Sequence, residues 1–106
     1  MITQFKKGAL ELCVLAQLRA GDKYGYELAT VISNEIKVSL GTIYPLLKRV
    51  RQSGYVETEV HESTDGPARK YYHLTVKGRE VLTQNISEWF EFSKRINKMI
   101  GADLNE

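Results

Sequence analysis

Ser39-Leu40-Gly41-Thr42-Ile43-Tyr44-Pro45-Leu46-Leu47-Lys48-Arg49-Val50-Arg51-Gln52-Ser53 is the stretch on which the fold turns. Leu40, Ile43, Leu47 and Val50 recur at i, i+3, i+7 and i+10, so at 100° per residue they share one side of a helix. Ser39 is a good N-cap, and Ser53-Gly54 closes the segment. Gly41, Tyr44, Pro45, Lys48 and Gln52 fall on the other side, with Thr42 and Arg49 on the flanks. Such a face suits a DNA major groove. Gly41 lets the backbone come close, and Thr42 and Tyr44 offer hydroxyls and apolar surface for thymine methyls. Lys48 and Arg49 can neutralise phosphates or reach guanine. The same pattern also describes an amphipathic helix with a solvated basic face, and these residues alone leave both readings open. Pro45 would remove the bond to the Gly41 carbonyl if the helix starts at Leu40, at a cost of roughly 3 kcal/mol. A start at Thr42 would put it in the first turn. Leu40 and Ile43 fit the apolar stripe, so the earlier start is expected, with a local distortion near Gly41.

Upstream, Phe5 to Ala20 has a helical stripe of Phe5, Ala9, Leu12, Leu15, Ala16 and Leu18. Gly21-Asp22 ends it, and Asp22 is placed to cap the next helix. Tyr24 to about Ser33 gives that short second helix, with Leu28, Val31 and Ile32 inward. Downstream the period changes. Tyr55 to His61 and Arg69 to Thr75 are short, alternating and β-branched or aromatic, and the turn-rich Glu62–Ala68 joins them, which predicts a hairpin. Thr75 then caps a long helix over Val76–Ile100 that Gly101 stops. The resulting fold class is mainly α with a small β-hairpin (α+β), a winged helix-turn-helix plus a long C-terminal helix. Residues 1–75 form the DNA-binding part, 76–101 the C-terminal helix and 102–106 a polar tail. Leu82, Ile86, Trp89, Ile96 and Ile100, with Ser93 filling the gap, alternate by four and three, the spacing of a coiled-coil seam. They are candidates for dimerisation with a second copy, and the alternative is that the helix folds back on its own domain. Trp89, the one tryptophan, serves either to fill that seam or as a stacking wall for a flat aromatic ligand, with Asn85 and Ser93 as polar edges.

Charge placement says more than the net charge of +2. No acid occurs from Ile36 to Val56, where Lys37, Lys48, Arg49 and Arg51 lie. None occurs from Gly66 to Arg79, which holds Arg69, Lys70, Lys77 and Arg79. Between these patches come Glu57, Glu59, Glu62 and Asp65. Arg69 and Lys70 come just after the hairpin tip, where a wing meets phosphates, and the second strand is expected to lead that contact. An ordinary solvated basic edge is the alternative. The single Cys13 excludes an intrachain disulfide. The longest apolar run, Leu12 to Ala16, is too short for a membrane span or an export signal, so a cytoplasmic location is expected. Cys13, His61 and His73 lack metal-ligand spacing, and neither a nucleophile motif nor a phosphate-binding glycine loop is present, so neither metal, cofactor nor catalysis is expected.

Three motifs carry a resemblance: Tyr24-Gly25-Tyr26-Glu27-Leu28, the run Ser39–Val50, and Gly66-Pro67-Ala68-Arg69-Lys70-Tyr71-Tyr72-His73-Leu74-Thr75 with Gly78 after it. In that order and spacing the chain resembles the PadR family of bacterial repressors over nearly its whole length. The resemblance implies a homodimeric winged helix-turn-helix repressor of inverted-repeat operators in double-stranded DNA, often released by a small effector. Tyr24, Ser39 and Pro45 join Arg69 and Lys70 in the expected DNA-contacting set. The short branch of the family is the better match, because nothing long comes after Ile100. Its drug-binding members hold flat hydrophobic molecules between paired tryptophans, which implies a planar hydrophobic effector at Trp89. Phe5, Gly8, Leu12 and Leu15, with Asn85 and Ser93, would line that cavity. Ala68 stands where the family's wing more often carries a second arginine, and Ser93 where a drug-binding member has an acid. The competing functions are a winged-helix module for a protein partner and a repressor without a ligand.

Overall fold

A computed structural model describes residues 2–101, with side-chain placements from Gly8 onward. The elements are α1 (Ile2–Gln17), β1 (Lys23–Tyr24), α2 (Gly25–Ile36), α3 (Leu40–Gln52), β2 (Val56–His61), β3 (Arg69–Leu74) and α4 (Val76–Ile100). The strands form one antiparallel sheet in the order β1-β3-β2. The winged helix-turn-helix fold is therefore present, with a third strand that the sequence pattern does not predict. Two residues are too short to show a period, and β1 exists only because Lys23 and Tyr24 pair with Tyr72 and Tyr71.

One core serves the whole unit. Leu10, Val14, Leu15 and Leu18 of the first helical segment meet Leu28, Ala29 and Ile32 of α2 and Ile43, Leu46, Leu47 and Val50 of α3. Val56, Tyr72, Leu74 and Leu82 close it from the sheet and α4. Val31 is 40% exposed, against the expectation that it points inward, and Ala29 takes that place. Asp22 does not cap α2; Tyr24 holds the N-cap position without a side-chain hydrogen bond. The turn from α2 to α3 is Lys37-Val38-Ser39. Lys37 adopts φ 65°, and its amide donates to the Ser33 carbonyl at 2.9 Å.

The helix α3 begins at Leu40 behind Ser39, whose hydroxyl accepts from the Thr42 amide at 3.2 Å. It runs unbroken through Pro45, so the Gly41 carbonyl that Pro45 cannot bond lies at an exposed residue. Further along the chain, the Thr75 hydroxyl accepts from the Gly78 amide at 2.9 Å and donates to the Gly54 carbonyl at 2.7 Å, fixing the start of α4 on the α3–β2 turn. Gly78 must lack a side chain: a Cβ there would stand 1.9 Å from the Tyr55 carbonyl oxygen. Leu82 is only 2% exposed, so it belongs to the protomer's own core and not to a dimer seam.

Candidate nucleic-acid interface

The polar side of α3 is open. Gly41, Thr42, Tyr44, Pro45, Lys48, Arg49, Arg51 and Gln52 are all exposed, while the opposite side is the core. Gly41 meets nothing inside the molecule that demands glycine; a Cβ would find only Ser39 Oγ at 3.7 Å. A glycine in a helix costs about 0.5–1 kcal/mol relative to alanine, and no contact within the molecule accounts for it here.

The two flanks of this face differ. On one, Thr42 Oγ1 and Ser39 Oγ share a hydrogen bond of 3.0 Å, and Arg49 Nε lies 2.9 Å from Glu11 Oε2 of α1. That ion pair falls short of hydrogen-bond geometry, since Glu11 Oε2 is otherwise a buried oxygen without a partner. Arg49 is thus paired with an acid of α1 while its side chain stays 47% exposed. On the other flank Tyr44 and Arg51 stand seven residues apart on one side of the helix, and Arg51 has no carboxylate partner among the described residues. Sequence reasoning passed over Arg51. No helical projection shows that α1 places Glu11 beside one arginine and leaves the other open.

The wing divides its charges between two faces. Register pairs His61 with Arg69, Glu59 with Tyr71 and Tyr24 with Tyr71, so these share the face turned from the helices. There the Arg69 guanidinium sits 4.6 Å over the Tyr24 ring, and Tyr24 and Tyr71 lie 5.8 Å apart. His61 stacks on Tyr71 at 4.5 Å and meets Glu59 Oε1 at 2.7 Å. Tyr24 and Arg69 therefore come together, but away from α3. Lys70 alternates to the helix-facing side with Tyr72 and is exposed.

A separate open groove of about 370 Å³ runs between α1 and α4, lined by Gly8, Leu12, Asn85, Glu88, Trp89 and Phe92. Four of these belong to the expected ligand-binding set. Leu15 does not line it, because at 1% exposure it is core. Ser93 is half-buried beside the groove without lining it, and the side chain of Phe5 is outside the described residues. Glu88 and Phe92 were missed although each lies within one turn of Trp89. Beyond Leu82 the same side of α4 carries Ile86, Trp89, Phe92, Ile96 and Ile100, with Phe92 55% and Ile100 71% exposed.

Burial pushes the Cys13 thiol above its ordinary range, which favours its protonated form. Among the described residues no three His, Cys, Asp or Glu side chains stand close enough to hold a metal, and no helix is long and apolar enough to cross a membrane.

Comparison with known proteins agrees with this architecture. A PadR-like transcriptional regulator from Bacillus cereus is 39% identical, superposes with a TM-score of 0.80, and the match covers 92% of this chain and 96% of that one. A Streptococcus transcriptional regulator is 33% identical with a TM-score of 0.82, covering 91% and 96%. A transcriptional regulator of Mycobacterium tuberculosis is 30% identical over 94 residues, 88% of this chain and 87% of the relative. The model of the PadR-like transcriptional regulators matches residues 14–84, which span α3, the wing and the start of α4, and the chain belongs to that family.

Proposed function

We propose that this regulator is a cytoplasmic repressor that binds an inverted-repeat operator as a homodimer, with α3 of each copy in a major groove. The observation that supports it is the acid-free open face of α3, where Gly41, Tyr44, Pro45 and Lys48 are exposed, with Arg69 and Lys70 on the second strand of the wing. Pairing along α4 supplies the two-fold axis: the apolar stripe from Trp89 to Ile100 is left uncovered by its own protomer. A flat hydrophobic molecule held against Trp89 and Phe92 in the α1–α4 groove releases the DNA by changing how the two copies sit. Glu88 gives that groove an acid that Ser93 does not.

Affinity for the DNA upstream of the protein's own gene, measured against a random duplex across salt, tests the first step. Equal affinities at every salt concentration remove sequence-specific binding. Sedimentation tests the dimer. Titration with planar dyes, monitored by Trp89 fluorescence, tests the ligand: a dye that quenches Trp89 and lowers operator affinity is the expected result. Failure of all dyes to quench reduces Trp89 to packing.

A further inference from the structure

Lys48, Arg49 and Arg51 are the exposed cations of α3, and among the described residues only Arg49 has a carboxylate partner. The acid comes from another helix: Glu11 Oε2 of α1 stands 2.9 Å from Arg49 Nε. Both residues sit where their helices are anchored. Leu10 and Val14 lie within a turn of Glu11, Leu46 and Val50 within a turn of Arg49, and all four belong to the core. The carboxylate oxygen is closed to solvent, whereas the longer arginine side chain is half-exposed.

This contact is poorly suited to holding the fold together. Glu11 Oε2 makes no hydrogen bond although it is enclosed, so the arginine supplies charge without a well-aligned donor. Half-exposed ion pairs without good geometry contribute little to stability. A phosphate, by contrast, offers a guanidinium two oxygens and a bidentate contact. Phosphate therefore outcompetes Glu11 for Arg49. The exchange still has a cost, because an enclosed carboxylate oxygen is left without its counter-charge.

We infer that Glu11 is a brake on DNA binding: it competes with phosphate for Arg49 and so weakens binding to duplexes of every sequence. This rests on the DNA-binding reading and names a residue of α1 that sets its strength. Phosphate contacts supply essentially all non-specific binding, so what the brake removes carries no sequence information.

The test uses the full chain with two probes, a random 30-base-pair duplex and the tightest duplex recovered by selection from a random pool. Glu11→Gln is expected to bind both about two- to fivefold more tightly, the worth of a weak ion pair. Glu11→Asp keeps the charge but draws it back by one methylene, and should tighten both by a smaller factor. Arg49→Gln should lower the slope of log affinity on log salt by about 0.9 for both. In that background Glu11→Gln should gain less than about twofold, since no guanidinium is left to release. Equal affinities in the native protein and both Glu11 variants, or the same gain with and without Arg49, overturn the brake while leaving DNA binding intact. An unchanged slope in Arg49→Gln does so too, because Arg49 then never meets a phosphate. A native protein that binds neither duplex sinks the DNA-binding reading itself.

Discussion

The first and second halves of α4 use one face for two different ends. From Val76 to Ile86 that face is anchored to the protomer: Thr75 bonds Gly54 and Gly78, Lys77 Nζ donates to the Ser53 carbonyl at 3.1 Å, and Leu82 is core. From Trp89 to Ile100 the same stripe continues in Trp89, Phe92, Ile96 and Ile100, but no tertiary hydrogen bond among the described residues holds it, and Phe92 and Ile100 stand in the open. Apolar area gains about 25 cal/mol per Å² when removed from water, so the first half is stabilised within one chain, and under the proposed dimer the second gains its burial from the other copy. Changes in the first half should therefore alter folding at every protein concentration. Changes in the second should alter only what depends on concentration.

Gly78→Ala is the strongest way to break the first half. The added methyl meets a backbone oxygen at 1.9 Å, and no flexible side chain can give way. A loss of about 3 kcal/mol or more is expected in urea denaturation, alike at low and high protein concentration. Leu82→Ala should come next at about 2–5 kcal/mol, since it empties a core position. A Leu82→Ala loss that shrinks on dilution would instead place Leu82 between copies.

Ile96→Asp tests the second half. The native melting temperature should rise with protein concentration, as mass action requires of a dimer. The variant should sediment as a monomer at all concentrations, keep its helical circular dichroism, and lose most operator affinity. A variant that still sediments as a dimer would move the interface off α4.

The two halves also differ in how plainly the sequence announces them. The bounds Val76–Ile100 and both caps, Thr75 and Gly101, are set by local period and capping chemistry, as is Ser39 before α3. Local signals of this kind depend on residues within a few positions of one another. The strand at Lys23–Tyr24 has no such signal, because its partner lies almost fifty residues away. Separation along the chain likewise hid the pairing of Arg49 with Glu11, and the burial of Leu82, which sits in the seam spacing yet meets the core first. Patterns on one helix give its exposed face correctly, but which neighbour covers or neutralises each flank is a property of the assembled chain.

Thr75→Ala sharpens the comparison at smaller scale. An N-cap is worth about 1 kcal/mol, and here the same hydroxyl also donates to Gly54, so a loss of about 1–2 kcal/mol is expected. Ser39→Ala removes a cap that makes no such tertiary bond and should cost about half as much. Equal losses would mean that the Gly54 bond adds nothing to the docking of α4.

The smallest effect belongs to the second half. Arg95 reaches Glu91 one turn back at 3.0 Å, with both side chains more than half exposed. Exposed pairs at this spacing contribute about 0.3–0.5 kcal/mol at low salt and less as salt rises. Glu91→Gln should therefore lower the melting temperature by no more than about 4 °C, and about 0.5 M salt should erase the difference. If the loss instead exceeds about 1 kcal/mol and resists salt, the pair is shielded from solvent, and in a helix standing clear of its own domain only a second copy can shield it. The weakest interaction on α4 thus reports on how far the contact between copies spreads beyond the apolar stripe.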